Sequence, residues 1–158
     1  MTTELQPGDP APAFDLPADG GGRARLADFK GKTVVLYLYP KDDTSGCTSE
    51  AQQFTTLAED FKRAGAVIIG LSKDSVASHN KFKAKYGLEV MLASDESGEL
   101  IETLGSWVEK SMYGRKYMGI DRSTFLIDGE GVVRQAWRKV KVPGHADQVL
   151  KAARALKG

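Results

Sequence analysis

Two apolar stretches separated by a helical pattern constrain the fold of this chain most strongly. Residues 34–39 and 66–72 are apolar along nearly their whole length and rich in β-branched or aromatic residues, which is typical of strands buried on both faces. Between them, apolar side chains recur at helical spacing over 51–61, and Gly65 follows a basic last turn. The pattern predicts a β-α-β unit within a parallel sheet.

After residue 72 the chain repeats the alternation of helix and strand and then ends in an antiparallel hairpin and a last helix. A Gly-Glu-Gly sequence at 129–131 separates two apolar stretches and predicts an antiparallel hairpin. The resulting order predicts an α/β thioredoxin-like fold. The predicted elements are strands at 13–16, 24–26, 34–39, 66–72, 90–93, 123–128 and 132–137, and helices following Cys47, at 75–86 and at 146–156.

The segment 105–119 has no steady hydrophobic period. It contains two methionines and three aromatic residues, and long loops in compact domains are often functional. We expect a loop here that lines a site.

Length and composition limit the classes of protein to which this chain can belong. The 158 residues suit a single domain over 1–158, and 41% hydrophobic with 27% charged residues excludes a disordered chain. A net charge of +1 without a sustained basic run argues against nucleic acid as a partner. The longest apolar run, 33–39, is too short to cross a membrane, and the first residues lack a signal pattern. We expect a soluble, cytoplasmic protein.

Cys47 is the only cysteine, which excludes an intrachain disulfide, a zinc site built on several cysteines and a two-cysteine redox centre. His79 and His145 lack partners at metal-ligand spacing and are interpreted as surface or helix-terminal residues. The acidic pairs at 42–43 and 95–96 match no calcium loop and are interpreted as solvated turns. No metal and no cofactor is predicted.

Cys47 follows a buried strand and a turn and enters a predicted helix. Unpaired amides and the dipole at a helix N-terminus favour an anion, and hence a thiolate. The turn residues before Cys47 are unsuited to a core, although a small buried hydrophobe is the usual state of a free cysteine. Thr44 either caps the helix or bonds a sulfur or substrate oxygen. Pro40 alone is interpreted as a strand terminator.

Arg122 precedes the strand 123–127, which we expect beside the strand 34–39. Its guanidinium is therefore expected near Cys47, where it would stabilise a thiolate and donate to an oxyanion. The alternative for an arginine at a strand entrance is a solvated charge.

The motif YPKDDTSGCTSEA at 39–51 resembles the peroxidatic motif of peroxiredoxins of the PrxQ, or bacterioferritin comigratory protein, subgroup. The resemblance covers nearly the whole chain. Further matching segments lie at 28–32, 72–79, 109–114, 119–128 and 137–145.

The resemblance implies a thioredoxin-like fold with an N-terminal β extension. It assigns Cys47 as the peroxidatic nucleophile, Pro40 as its shield, Thr44 as a peroxide ligand and Arg122 as the thiolate activator. Glu50 would support their hydrogen bonds. The implied substrates are hydrogen peroxide and small organic hydroperoxides, reduced through a sulfenic acid on Cys47.

The chain departs from the family pattern at two places. Ser45 stands where the family usually has proline, and activity is expected to survive that change. Family members often carry a second cysteine at the position of Gln52 or near Lys83, so this chain resembles a one-cysteine variant. The sulfenate must then be reduced by an external thiol, namely thioredoxin, glutaredoxin or glutathione. A monomer is expected, with a dimer as the alternative.

Two other functions stay open from the sequence. One is a peroxide sensor or redox relay that uses Cys47 without efficient turnover. The other is a thioredoxin-fold binding module whose thiol is inert, which predicts slow alkylation.

Overall fold

The computed structural model describes residues 5–157. It contains nine strands, five α-helices and two short 3-10 helices at Asp19–Gly21 and Leu26–Phe29 within this part of the chain. The strands are β1 Asp15–Pro17, β2 Arg23–Arg25, β3 Thr33–Leu38, β4 Ala66–Ser72, β5 Met91–Ser94, β6 Trp107–Met112, β7 Arg115–Ile120, β8 Ser123–Ile127 and β9 Val133–Trp137. The helices are α1 Ser45–Thr56, α2 Ala58–Arg63, α3 Val76–Tyr86, α4 Glu99–Thr103 and α5 His145–Lys157.

A five-stranded sheet in the order β5-β4-β3-β8-β9 organises the molecule. β3 pairs with β4, and β4 with β5, in parallel, whereas β8 runs antiparallel to both β3 and β9. Strands β1 and β2 form a separate N-terminal hairpin. This mixed α/β architecture confirms the thioredoxin-like prediction, including the expected neighbourhood of β3 and β8.

The uniform apolarity of β3 follows from burial on both of its faces. Val35 and Tyr37 face one core cluster, where they meet α1, α3 and α5, while Val34 and Leu36 face the other. Side chains alternate across a strand, so both sets must be apolar when both faces are covered. β3 is thus the central strand, and its carboxyl end leads directly into the turn before Cys47.

The segment 105–119 is largely a hairpin of β6 and β7, so the prediction of a loop that lines a site was wrong in its structure. The two strands pair with each other from Trp107 to Ile120 in a separate two-stranded sheet. Met112, Tyr113, Tyr117 and Met118 are exposed. Because most of the hairpin is not buried, its sequence lacks the alternation that announces a strand.

Both histidines are helix-terminal, as one interpretation of the sequence had it, but they are buried, and so are two of the acids that were predicted to be solvated. His79 and His145 are buried in the first turns of α3 and α5, and Asp42 and Asp95 are buried as well. Each has hydrogen-bond partners that compensate for the loss of water. Separately, none of the helices described for residues 5–157 is long and apolar enough to span a membrane.

Candidate active site

Cys47 lies in the first turn of α1, where the sequence predicted it. The helix begins at Ser45, immediately after the turn that leaves β3, and the thiol side chain is only 2% exposed. Nη2 of Arg122 donates a hydrogen bond to Sγ of Cys47 over 3.3 Å. The sulfur therefore has both the amide end of a helix and a guanidinium beside it, which together favour a thiolate.

Arg122 occupies the short connection between β7 and β8, and its backbone is fixed on both sides. The amide of Val140 donates to the carbonyl of Arg122 over 2.9 Å. The hydroxyl of Ser123 donates to the carbonyl of Asp121 over 2.8 Å, and the amide of Asp121 donates to Ser106. These bonds hold the start of β8, so that the guanidinium reaches across to the neighbouring β3 turn.

Glu50, one helical turn after Cys47, holds the other end of the guanidinium. Nη1 of Arg122 donates to Oε1 of Glu50 over 2.6 Å, and the two side chains are 16% and 2% exposed. Burial raises the pKa of Glu50 to about 7, although the charge of Arg122 opposes that shift. Burial would lower the pKa of Arg122, but Glu50 and Cys47 outweigh it and raise it. Arg122 is therefore a permanent cation.

Thr44 and Pro40 lie on the exposed side of the turn. Thr44 precedes α1 at the N-cap position, but among the described residues its hydroxyl caps no amide of the helix. It donates instead to the carbonyl of Lys41 over 2.8 Å. Of the five predicted site residues, Arg122 directly contacts both Cys47 and Glu50. Pro40 and Thr44 lie at the two ends of the turn that leads to Cys47.

Gly46 contributes to the site in a way that the sequence did not reveal. A Cβ atom at this position would lie 3.3 Å from Nη2 of Arg122, which is tighter than most real contacts. The absence of a side chain therefore lets the guanidinium approach the first turn of α1. The sequence showed Gly46 only as a turn former, because its partner lies on a distant segment.

Aromatic stacking supports the inner side of α1. The rings of Tyr37 and Phe54 stack with centroids 4.7 Å apart, and a Cβ atom at Gly70 would come within 2.8 Å of the Tyr37 ring and hydroxyl. Within the described residues, the buried Tyr37 hydroxyl, Thr48 Oγ1 and Glu50 Oε2 have no hydrogen-bond partner. Unsatisfied polar atoms are costly in a core, so their concentration on and beside α1 is unusual.

The charge of Arg122 also acts on a buried histidine, His145. Nε2 of His145 is 2.7 Å from Oγ1 of Thr124, and the imidazole contacts the rings of Phe54 and Trp137 edge-on. Burial and the charge of Arg122 lower the pKa of His145 to about 4. His145 therefore adds no positive charge to the site at neutral pH.

A buried cysteine at a helix N-terminus, hydrogen-bonded to an arginine on a thioredoxin-like sheet, defines a class of proteins that use an activated thiol as a nucleophile. The AhpC/TSA family model matches residues 7–136. The peroxiredoxin Bcp of Xanthomonas campestris is 50% identical over 92% of each chain, and that of Bacillus subtilis is 48% identical over 95% of this chain and 94% of its own.

A solved structure gives the same assignment. The bacterioferritin comigratory protein of Xanthomonas campestris, described with an alkyl peroxide reduction activity, superposes with a TM-score of 0.89 at 44% identity over the full length of both chains. This chain belongs to the AhpC/TSA family, and within it to the peroxiredoxins of the Bcp or PrxQ group. It is a thiol peroxidase, as the sequence predicted, and it lacks a second cysteine.

Proposed function

We propose that Cys47 is the peroxidatic residue and that it carries the reaction alone on this chain. Its thiolate attacks the terminal oxygen of a hydroperoxide, so that an S–O bond forms while the O–O bond breaks. Sulfur is oxidised to Cys47 sulfenic acid, and the other oxygen leaves as hydroxide or alkoxide, which takes up a proton to give water or an alcohol. The contact between Cys47 and Arg122 is the observation that carries this proposal.

Arg122 is proposed to stabilise negative charge at both stages of this step. In the ground state its Nη2 donates to the sulfur that becomes the thiolate. As the O–O bond breaks, the charge moves from sulfur onto the departing oxygen, which lies beyond the attacked oxygen and is proposed to be within reach of the same guanidinium. A fixed donor of this kind needs no reorganisation during the reaction. Glu50 supports it by holding Nη1 in place.

Thr44 and Pro40 are proposed to shape the entrance to the thiol. The hydroxyl of Thr44 donates to the carbonyl of Lys41, and its oxygen has lone pairs left that can accept a hydrogen bond from the O–H of a bound hydroperoxide. Pro40 follows the buried Tyr39, directly after the end of β3, and is exposed. Its ring nitrogen carries no hydrogen to donate, and its apolar ring would keep water from the sulfenic acid.

The reductant is proposed to be an external thiol, because this chain holds one cysteine. The first thiol attacks Cys47 sulfenic acid to give a mixed disulfide and water, and a second thiol releases Cys47 with formation of the donor disulfide. Thioredoxin, glutaredoxin and glutathione all supply such thiols. We propose that the protein acts as a cytoplasmic monomer, with a dimer as the alternative, and that it has no nucleic acid or membrane partner.

Stopped-flow measurement of Cys47 oxidation by hydrogen peroxide and by an alkyl hydroperoxide tests this proposal. We expect rates orders of magnitude above that of free cysteine, and complete loss of peroxide consumption in Cys47→Ser. Ser49→Ala, a change of similar size on the same helix, serves as the folded control. Peroxide consumption retained by Cys47→Ser would refute the proposal.

Steady-state turnover with each donor then separates the peroxidase from the sensor. Efficient recycling by thioredoxin, by glutaredoxin or by glutathione supports a peroxidase that uses that donor. Fast oxidation of Cys47 with slow recycling by every donor would favour a peroxide sensor or redox relay. Slow oxidation, comparable to free cysteine, would indicate an inert thiol in a binding module.

A further inference from the structure

A buried polar cluster connects the turn before Cys47 to helix α3. Asp42, in the middle of that turn, directs its side chain inward and is only 7% exposed. Its carboxylate accepts hydrogen bonds from the hydroxyls of Tyr39 at 2.5 Å and Ser78 at 2.8 Å, and it lies 2.7 Å from Nδ1 of His79. A charged side chain this deeply buried requires such partners. The sequence offered no local reason for Asp42 to turn inward.

The turn is attached to the same helix at a second, exposed point. Asp43 accepts hydrogen bonds from Lys85 and Tyr86 near the end of α3. In addition, the amide of Asp42 donates to the carboxylate of Asp74 over 2.9 Å. The turn that delivers Cys47 is therefore fixed mainly by α3 and the end of β4, and not by its own backbone.

The geometry around His79 requires both of its ring nitrogens to donate. Nδ1 faces the carboxylate of Asp42 at 2.7 Å, and Nε2 faces the carbonyl of Ala93 at 2.9 Å. A neutral imidazole has one donor and one acceptor, so either tautomer would place a lone pair against an oxygen. The hydroxyl of Tyr39, 3.4 Å from Nδ1, already donates to Asp42, so opposite an ionised Asp42 only the imidazolium satisfies both contacts. The side chain is fully buried, so water cannot take the place of either partner.

The charges around His79 agree with this state. Burial alone would lower the pKa of His79, but the hydrogen bond and charge of Asp42, the bond to Ala93 and the charge of Asp74 outweigh it and raise that pKa. The other titratable neighbour, Tyr39, stays neutral because burial raises its pKa. On α3 itself, Lys83 is one turn further along and is paired with Asp19.

We infer that His79 is a positioning residue for the peroxidase reaction. As an imidazolium, it fixes the turn 40–44 through its contact with Asp42. The fixed turn then places Pro40, Thr44 and Cys47 for attack on the peroxide. Loss of its proton leaves two oxygen atoms facing a ring with one donor, and the turn loses its buried attachment. Oxidation of Cys47 then slows as the pH rises and His79 loses its proton, an effect that we call the alkaline decline. The inference takes Cys47 as the reacting thiol, as proposed above.

The test compares the pH profile of Cys47 oxidation with the titration of His79 in the unmodified protein. The chain has two histidines, and the pKa of His145 lies near 4, so nuclear magnetic resonance of the imidazole nitrogens separates them. We expect the rate constant for oxidation by hydrogen peroxide to fall at alkaline pH, with a midpoint that coincides with the loss of the His79 proton. A rate that stays constant or keeps rising through that titration would overturn the inference.

Variants provide the second arm. His79→Gln and Asp42→Asn should each lower the oxidation rate about 10- to 100-fold, the scale expected for a small misplacement of reacting groups, and His79→Gln should abolish the alkaline decline. Asp15→Asn makes the same chemical change at an exposed ion pair with Arg23 on the N-terminal hairpin and should leave the rate within about threefold. A His79→Gln protein that keeps the wild-type profile would also overturn the inference.

The outcomes distinguish this inference from the proposed function. Peroxide reduction that survives Cys47→Ser removes the function and the inference together. Fast oxidation of Cys47 without an alkaline decline removes the role of His79 and leaves the peroxidase intact. The comparison of rate and titration in the unmodified protein decides the matter even if His79→Gln does not fold.

Discussion

Nη1 of Arg122 lies 2.6 Å from Oε1 of Glu50, so the guanidinium that donates to Cys47 is held at its other nitrogen by a buried carboxylate. The two bonds use different nitrogens of one planar group, which fixes the direction in which Nη2 points. A lysine carries the same charge but has no second, rigidly linked donor. The arrangement therefore depends on the shape of the guanidinium as well as on its charge.

Arg122→Lys should lower the rate of Cys47 oxidation by about 10²- to 10³-fold, the loss typical of removing one preorganised donor to a developing anion. The rate is measured by stopped flow with hydrogen peroxide. Arg134→Lys is the matched control, because Arg134 forms an exposed ion pair with Asp128. A loss of less than about threefold in Arg122→Lys would show that charge alone suffices.

Gly46→Ala tests the close approach of Arg122 to α1. The added methyl group would meet Nη2 at 3.3 Å and displace the guanidinium by a few tenths of an ångström. We expect oxidation of Cys47 to slow by roughly 10-fold, since small misplacements near the reacting atoms are costly. Alanine is a better helix former than glycine, so thermal unfolding should show no loss of stability. Reduced stability with an unchanged rate would contradict this prediction.

The location of Cys47 and Arg122 was predictable because both follow from elements with strong periodic patterns. The apolar stretches of β3 and β8 implied neighbouring central strands, and the polar turn after β3 placed Cys47 at a helix start. The resemblance to peroxiredoxins then assigned Cys47 as the nucleophile and Arg122 as the activator of its thiolate. The pairing of β3 with β8 in the structure confirms the proximity.

The inward orientation of Asp42 was not predictable, because its partner His79 is 37 positions away and belongs to another helix. Local sequence shows an acidic turn and a lone histidine, each of which is usually solvated. Only the packing of α3 against the turn makes the two charges compensate each other. The β6 and β7 hairpin was missed for a related reason, since mostly unburied strands carry no alternating pattern.

Glu50 should make the stability of the fold depend on pH. Burial raises its pKa from 4.5 to about 7, so between these values the folded state binds more protons than the unfolded state. The free energy of unfolding contributed by Glu50 is thus fully present below about pH 4.5 and is lost as the pH rises through about 7. Glu50→Gln is neutral throughout and removes this dependence.

Urea denaturation of the wild type and Glu50→Gln at several pH values measures the effect. We expect the stability of Glu50→Gln relative to the wild type to increase with pH over this range. If the difference in free energy of unfolding between Glu50→Gln and the wild type does not change with pH, the ion pair with Arg122 fully offsets the cost of burying the carboxylate. Glu109→Gln, at an exposed residue, is the control and should show a flat difference.

A second thiol introduced by Gln52→Cys should protect Cys47 from overoxidation. Residue 52 is exposed on α1 and lies five positions after Cys47, which corresponds to a rise of about 7.5 Å along an intact helix. A disulfide tolerates at most about 7 Å between Cα atoms, so it can form only if the first turns of α1 unwind. We expect peroxide to convert the wild-type sulfenic acid to sulfinic acid when no reductant is present.

In Gln52→Cys, the same treatment should give an intrachain disulfide and a loss of helical circular dichroism signal, both reversed by a reductant. Mass spectrometry distinguishes the two products, since sulfinic acid adds two oxygen atoms whereas the disulfide removes two hydrogen atoms. Gln52→Ser, which has a similar size but no thiol, should overoxidise like the wild type. If Gln52→Cys forms sulfinic acid at the wild-type rate, the first turns of α1 stay helical after Cys47 is oxidised. An external thiol must then reach Cys47 in its buried position.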